Sequence, residues 1–428
     1  MTSPPGAPGH TAPVAAPPAP ADAGTRRLGS ALFVGGFGWL FLFGATSAVL
    51  VPQRVAELAP SGKVATLGIL TVVSGVLALV ANVVFGALSD RTRTRWGRRT
   101  PWILGGAVAA GAVQFALPSA GTTVAFVALA VLANVAMNAH IAALVALVPD
   151  RVPASRRGAV SALYGVGQVL GTVAGQVVGA QYIADTAQGF RVTGVVLVVA
   201  ALVVVLLAPE PPRDAPVGPG RPASPGATAA SWRAAVAFPR GAPDFVWALW
   251  GRLLLMVGYF VVASYQLYIL TDLLRLDVAE AGRTITAIGL AAAVGALLGA
   301  AVAGPLSDAL GRRKSLVMVS SLLIGAAMVP PLLAPAPGVV VAAAGLAGLG
   351  FGIYLAVDTA LMTEVLPSSA DHAKDMGILN VANSAGQIVA PGVASLVVGV
   401  AGYRPLYAVA LVLCVASVFC IRPIQGVR

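Results

Sequence analysis

The chain has 428 residues, 58% of them hydrophobic and only 10% charged, and its mean hydropathy is +0.88. A water-soluble fold of this size needs far more charged surface, so most of this one must face lipid. A formal charge of +11 would suit a nucleic-acid partner in a soluble protein, but here it lies in the gaps between apolar runs, where it sets membrane topology.

Residues 1–25, rich in Pro and Ala, read as a disordered cytoplasmic tail. They lack the basic start, short apolar core and cleavage site of a signal peptide. A spanning helix takes about 20 mostly apolar residues, and twelve such runs follow, at 29–51, 65–88, 101–119, 122–148, 159–182, 192–208, 245–271, 284–306, 315–334, 338–362, 376–400 and 404–421. The sequence thus predicts an all-α integral membrane protein of twelve transmembrane helices in two six-helix pseudo-repeats. The first bundle occupies 26–208 and the second 244–421. A Pro/Gly-rich cytoplasmic linker, 209–243, with "PEPPRDAPVGPGRPASPGA", joins them, and 422–428 form a closing cytoplasmic tail. With both termini on one side, twenty of the 27 Lys and Arg fall on that side, six fall opposite, and Arg252 lies inside a run. That bias marks the basic side as cytoplasmic. The two cysteines, Cys414 and Cys420, share one apolar helix and are poor disulfide partners.

The turn after the second run, "GALSDRTRTRWGRRTPW" (Gly86–Trp102), holds five arginines, and a thinner copy, "GPLSDALGRRKS", returns at Gly304–Ser315. Further echoes follow in order: "ALVPDRVPAS" (146–155) with "ALMTEVLPSS" (360–369), and "GAVSALYGVGQ" (158–168) with "GILNVANSAGQ" (377–387). Two six-helix units entering from the same side form a parallel repeat, which transporters rock around a site near mid-membrane.

These residues resemble the major facilitator superfamily. The longer "SDRTRTRWGRRTPWILGGA", "LVPDRVPASRRG" and "KDMGILNVANSAGQIVAP" look like its sucrose-type and glycoside–pentoside–hexuronide cation symporters. The resemblance covers about residues 29–421 and implies alternating access, often of a sugar with a proton. It also implies that the basic turns latch the inner gate across the two halves, through Asp90, Arg91, Arg98 and Arg99 and through Asp308, Arg312 and Arg313. Ala309 stands where Arg91 would repeat, so the second latch is expected to be weaker. The alternative is that the arginines only enforce topology. Gly167, Gly171, Gly175 and Gly179, and likewise Ala291, Gly295, Gly299 and Ala303, form small-residue stripes that permit close helix approach. In the family fold these helices, the fifth and eighth, face each other across the seam; the alternative is static packing inside one half.

Ionisable groups inside a span are costly and are functional suspects by default. Arg252 and Asp358 lie at comparable depth near the midplane and are expected to pair or to share a polar cavity. Tyr354 shares a helix face with Asp358, while Arg252, Tyr259 and Gln266 form a stripe at sevenfold spacing. His140, the repeat counterpart of Tyr354, is expected among Asn134 and Asn138. Gln168 and Gln387 are repeat equivalents, with Asn380 and Asn383 beside the latter, and Tyr164, Tyr265 and Tyr268 add rings and hydroxyls. Amides with aromatic rings suit a neutral polyol. Asp358 is the expected proton-coupling group, because helix 1 lacks the carboxylate that sucrose–proton symporters are expected to carry there. If nothing couples, the chain is a facilitator.

The reading is therefore a sugar or glycoside transporter working as a proton symporter, with a small molecule, a proton and the lipid bilayer as partners. No nucleic acid, metal or cofactor is expected, and the protein is expected to be a monomer. The rivals are a drug or metabolite exporter of the same fold and an integral-membrane enzyme. The enzyme would need clustered carboxylates, and no D-x-x-D, HExxH or Gly-rich nucleotide loop is present.

Overall fold

A computed structural model describes residues 23–210, 243–310, 313–364 and 372–424. Within them the apolar runs form twelve long helical rods, α1 to α12, and ten of these are long and apolar enough to cross a membrane. In the first half α1 is Ala23–Ala45, continued through a π turn (Thr46–Leu50) into Val51–Leu58. There follow α2 (Lys63–Arg91), α3 (Thr100–Ala116), α4 (Thr123–Arg151), α5 (Arg157–Gln181) and α6 (Thr186–Leu207). In the second half α7 is Pro243–Ala263, extended past a break by Gln266–Tyr268 and a second π turn, Ile269–Leu273. Then come α8 (Val278–Leu310), α9 (Arg313–Ala327), α10 (Pro337–Glu364), α11 (His372–Ala401) and α12 (Pro405–Ile421). Each run's predicted core lies inside its rod. Most of the tails and of the linker falls outside the described residues; residues 23–25 begin α1, residues 422–424 follow α12, and Pro209, Glu210 and Pro243 of the linker are described.

The even number of rods puts both ends of the described chain on one side, here the terminal face; the opposite side is the far face. Two layers of contact organise the molecule. Inside each half the helices pack tightly through small residues. The α5 glycines lie on α1: a Cβ at Gly171 would come 2.3 Å from the Phe37 carbonyl oxygen, and one at Gly175 would come 2.1 Å from that of Phe41. The α8 stripe lies on α10 in the same way, with Gly295 on the Gly345 carbonyl and Gly299 on that of Leu349. The stripes thus follow the alternative of packing inside each half, while the fifth and eighth helices meet across the seam through other residues. Spacing predicts close approach, but it does not say which neighbour approaches.

Between the halves, α2 meets α11 (Gly75 against Ile388, Gly68 against Ser395) and α5 meets α8 (Gly282 against the Ala180 carbonyl, Gly289 against Gln176). Among the described residues, every hydrogen bond and ion pair joining the two halves lies toward the far face. The Lys63 ammonium pairs with Asp272 at 2.7 Å and sits 4.8 Å above the Tyr268 ring. Tyr268 donates to the Pro52 carbonyl, and Tyr265 and Ser395 both donate to that of Val64. Tyr403 donates to the second oxygen of Asp272 at 2.6 Å. Among the described residues, the contacts that shut the seam thus lie at the far face, and a Cβ at Gly86, toward the terminal face, would meet nothing within 4 Å.

This far-face lock yields a prediction. Burial raises the Asp272 carboxyl, but the hydrogen bonds and charge of Lys63 and the Tyr403 hydroxyl outweigh it and hold the group below the usual carboxylate range. A carboxyl lowered in the locked state strengthens the lock at any pH above its ordinary value of about 4. That contribution is lost only as pH falls through the lowered value. The lock is therefore expected to be indifferent to pH between about 5 and 8. Lys63→Met should raise labelling of Gln387→Cys by a reagent applied from the far side, equally at both ends of that range.

Candidate functional site

Three groups of side chains carry the chemistry, and they lie at different depths. The deepest is in the second half, where α7 and α10 are bridged by long side chains. Arg252 Nη2 stands 3.2 Å from Asp358 Oδ2, and both side chains are buried. The expected pairing is present. One turn or two further along, Tyr259 stacks on Phe351 with centroids 4.4 Å apart and planes 14° off parallel, and Phe351 is followed by Tyr354 at 6.1 Å. Residues predicted on one face of α7 and one face of α10 thus form a continuous column of ion pair and rings. An ion pair out of water is costly unless its remaining hydrogen-bonding capacity is met. Here Arg252 Nε and Asp358 Oδ1 are buried with no protein partner, and the Tyr354 hydroxyl lies close to both charged groups without a hydrogen bond of normal geometry.

The second group consists of amides directed into the seam. On α11, Gly386 packs against Met256 of α7, Ile388 packs against Gly75 of α2, and Val389 and Leu396 are exposed. At 100° per residue, Asn383 and Gln387 fall on the arc between the α7 and α2 contacts, opposite that exposed apolar side. Gln387 is exposed and Asn383 partly so, which places both on open space within the seam. On α5 the same construction puts Gln168 between the α1 contact of Gly167 and the α8 contact of Gln176, opposite exposed Leu170. Tyr164, a turn earlier on α5, accepts a hydrogen bond from Trp39 Nε1 of α1 at 3.1 Å. The Asn380 side chain lies outside the described ones.

Three candidates are placed differently from expectation. His140 is buried inside the first half, its Nδ1 2.8 Å from the Ile103 carbonyl of α3 and its backbone against Gly106. It makes no contact with Asn138, which lies about 160° around α4 and donates to Asn134. Tyr265 and Gln266 leave the α7 stripe because the helix breaks between Ala263 and Gln266. Tyr265 belongs to the far-face lock, and Gln266 lies beside it with its amide nitrogen buried and unpartnered.

The third group is the basic turn. Arg99 is buried and is the hub: Nη2 reaches Asp90 at 2.5 Å, Nη1 reaches Ser89 at 2.9 Å, and Nε reaches Asp150 at 3.0 Å. Arg98 also pairs with Asp150. Arg91 is exposed and, among the described residues, has no ion pair. Among the described residues every partner of the Arg98 and Arg99 side chains lies in the first half, so the turn ties α2, α3 and α4 together. The Asp308 side chain and Arg312 lie outside the described residues, whereas Arg313, at the start of α9, is half-buried.

Sequence reasoning missed Glu210, assigned to the linker. Its carboxylate accepts from the backbone N–H of Arg99 at 2.8 Å and of Thr100 at 3.2 Å, capping the start of α3, where the helix dipole favours an anion. The signal was an acidic residue just past the end of a span on the basic side. Gly97 makes room for it with φ at +89°, and a Cβ there would come 2.1 Å from the Glu210 carboxylate.

Two bundles of membrane-spanning helices closed over one end of a polar seam define a multi-pass membrane transporter rather than an enzyme. A family described as MFS/sugar transport protein matches residues 63–421, and the chain belongs to that family within the major facilitator superfamily. An uncharacterized symporter of Synechocystis sp., sll1374, is 44% identical over 41 residues, which are 10% of this chain and 8% of that relative. The fold is shared with a D-xylose-proton symporter (TM-score 0.68, 17% identity, 93% of this chain and 97% of that one). It is shared also with the nucleoside transporter NupG (0.70, 13% identity, 93% and 99%). A third is a bacterial homolog of the human lysosomal transporter Spinster, in an inward-facing, unoccupied conformation (0.66, 16% identity, 95% and 96%).

Proposed function

We propose that this secondary transporter carries a small polar solute, a sugar or glycoside, across the cytoplasmic membrane together with a proton, with both termini cytoplasmic. The observation that carries the reading is the buried Arg252–Asp358 pair at the foot of an aromatic column, beside a seam whose open wall presents Gln168, Asn383 and Gln387. Amides offer paired donors and acceptors to hydroxyls, and rings stack on a sugar's apolar face. Asp358 is the acidic group deep inside a span, so it is the carrier of the coupled proton. Tyr259 and Tyr354 line the approach to it, and Asn138 and Asn380 complete the polar wall. In this reading Asp90, Arg91, Arg98 and Arg99, with Asp308, Arg312 and Arg313, gate the cytoplasmic side. The intra-bundle network seen at Arg99 is the released state of that gate. The bias toward Lys and Arg on the terminal side supports the orientation.

The test is reconstitution in liposomes with labelled sugars, with and without an imposed pH gradient. Asp358→Asn keeps an acceptor oxygen for Arg252, and in the protein that folds it is expected to abolish uphill uptake while sparing exchange of substrate down its own gradient. Uphill uptake that survives in the variant removes Asp358 from coupling, and uptake that ignores the pH gradient in the parent protein removes the proton.

A further inference from the structure

The polar atoms that the Arg252–Asp358 pair leaves unmatched point to a bound ligand. Arg252, Tyr354 and Asp358 line one small cavity in the second half, whose other walls include Gly251 and Leu255 of α7, Val317 of α9 and Ile421 of α12. Its volume is about 10 Å³, the lower limit of what admits a single water molecule. Arg252 Nε and Asp358 Oδ1 are buried without protein partners, and the Tyr354 hydroxyl, close to both charged groups, makes no hydrogen bond of normal geometry to either. Buried polar groups are nearly always satisfied, and buried waters sit where two to four such groups converge.

The first half shows the same position without a carboxylate. His140 is the repeat counterpart of Tyr354, so Leu144, four residues on, is the counterpart of Asp358. Leu144 is fully buried in an apolar cluster with Ile103, Ala107, Leu147 and Val204, and its methyl groups lie against Gly35. The duplicated architecture closes around a leucine there, and its polar neighbour His140 bonds the Ile103 carbonyl through Nδ1 while its Nε2 is buried without a partner. The second half has departed from it with a charged pair, a phenol and a cavity of matching size.

We propose that this cavity is a specific internal water site, built by Arg252, Asp358 and Tyr354, and that Tyr354 is a positioning residue for it. The water accepts from Arg252 Nε–H and donates one hydrogen to Asp358 Oδ1. It exchanges its remaining hydrogen bond with the Tyr354 hydroxyl, which acts as donor or acceptor. When Asp358 carries a proton, Oδ1–H donates to the same water, whose hydrogen turns to the phenol. The site therefore satisfies the pair in both protonation states without moving a side chain. It concerns the residues of the proposed coupling site but does not depend on transport, sugar specificity or coupling.

The test is a structure of the full-length protein in lipid nanodiscs at a resolution that shows ordered water, together with infrared difference spectra between H₂¹⁶O and H₂¹⁸O. A density peak within hydrogen-bond distance of all three groups is expected, with an isotope-sensitive O–H band from a strongly bound water. Tyr354→Phe is expected to lose that band. So is Ala248→Val, which fills the cavity from its wall and leaves the three polar residues in place. A Tyr354 hydroxyl turned directly onto Asp358, an empty cavity, or a band that persists unchanged in both variants overturns the proposal. Because none of these readouts is transport, their failure leaves the coupling reading standing, and loss of pH-driven uptake alone leaves the water site standing.

Discussion

Arg252→Met is expected to unfold or severely destabilise the protein, and adding Asp358→Leu is expected to rescue it. Removing one member of a buried pair leaves an uncompensated charge, at a cost of about 3–5 kcal/mol. Replacing both with apolar groups of similar volume is neutral or stabilising in other proteins. This fold already shows an apolar version of the site, since the repeat position of Asp358 is the buried Leu144. Thermal unfolding in detergent should give a midpoint for the double variant close to that of the parent, and a clearly lower one for Arg252→Met. Neither variant should drive uphill uptake. If the single variant proves as stable as the double, the two charges do not depend on each other in the way the geometry requires.

The second large effect concerns the stripe on α5. Gly175→Ala places a methyl group 2.1 Å from the Phe41 carbonyl oxygen, a separation that only movement of α1 relieves. Overpacking of this kind costs about 1–3 kcal/mol, and Gly175→Leu should cost more. Gly165 lies on the same helix with nothing within 4 Å. Gly165→Ala should be tolerated or gain about 0.5–1 kcal/mol from the helix preference of alanine. Melting temperatures of the three variants side by side check the contrast, and equal losses at both glycines would contradict the packing described.

These cases show where the sequence was readable. Twelve apolar runs announce twelve rods because lipid leaves the backbone few alternatives. Arg252 and Asp358 stood out because a charge in such a run has few places to be except against its opposite. Direction around a helix was harder to read. His140 and Asn138 are two residues apart and so point to different neighbours, and nothing local tells which faces the seam. Tyr265 and Gln266 were misplaced because α7 breaks at Ser264 and Tyr265 without a proline or glycine to mark it. The glycine stripes were assigned to the seam from the family's layout; their spacing alone fits either neighbour equally well.

Glu210 sits where the chain leaves the first bundle, and its grip on the start of α3 has a practical corollary. The anchor is the second residue of the linker, so the covalent joint between the bundles leaves from a point already bound to the start of α3. Anyone expressing the halves as separate polypeptides should cut beyond residue 210: a fragment ending at the last turn of α6 would lack the counter-charge that seats its own basic turn.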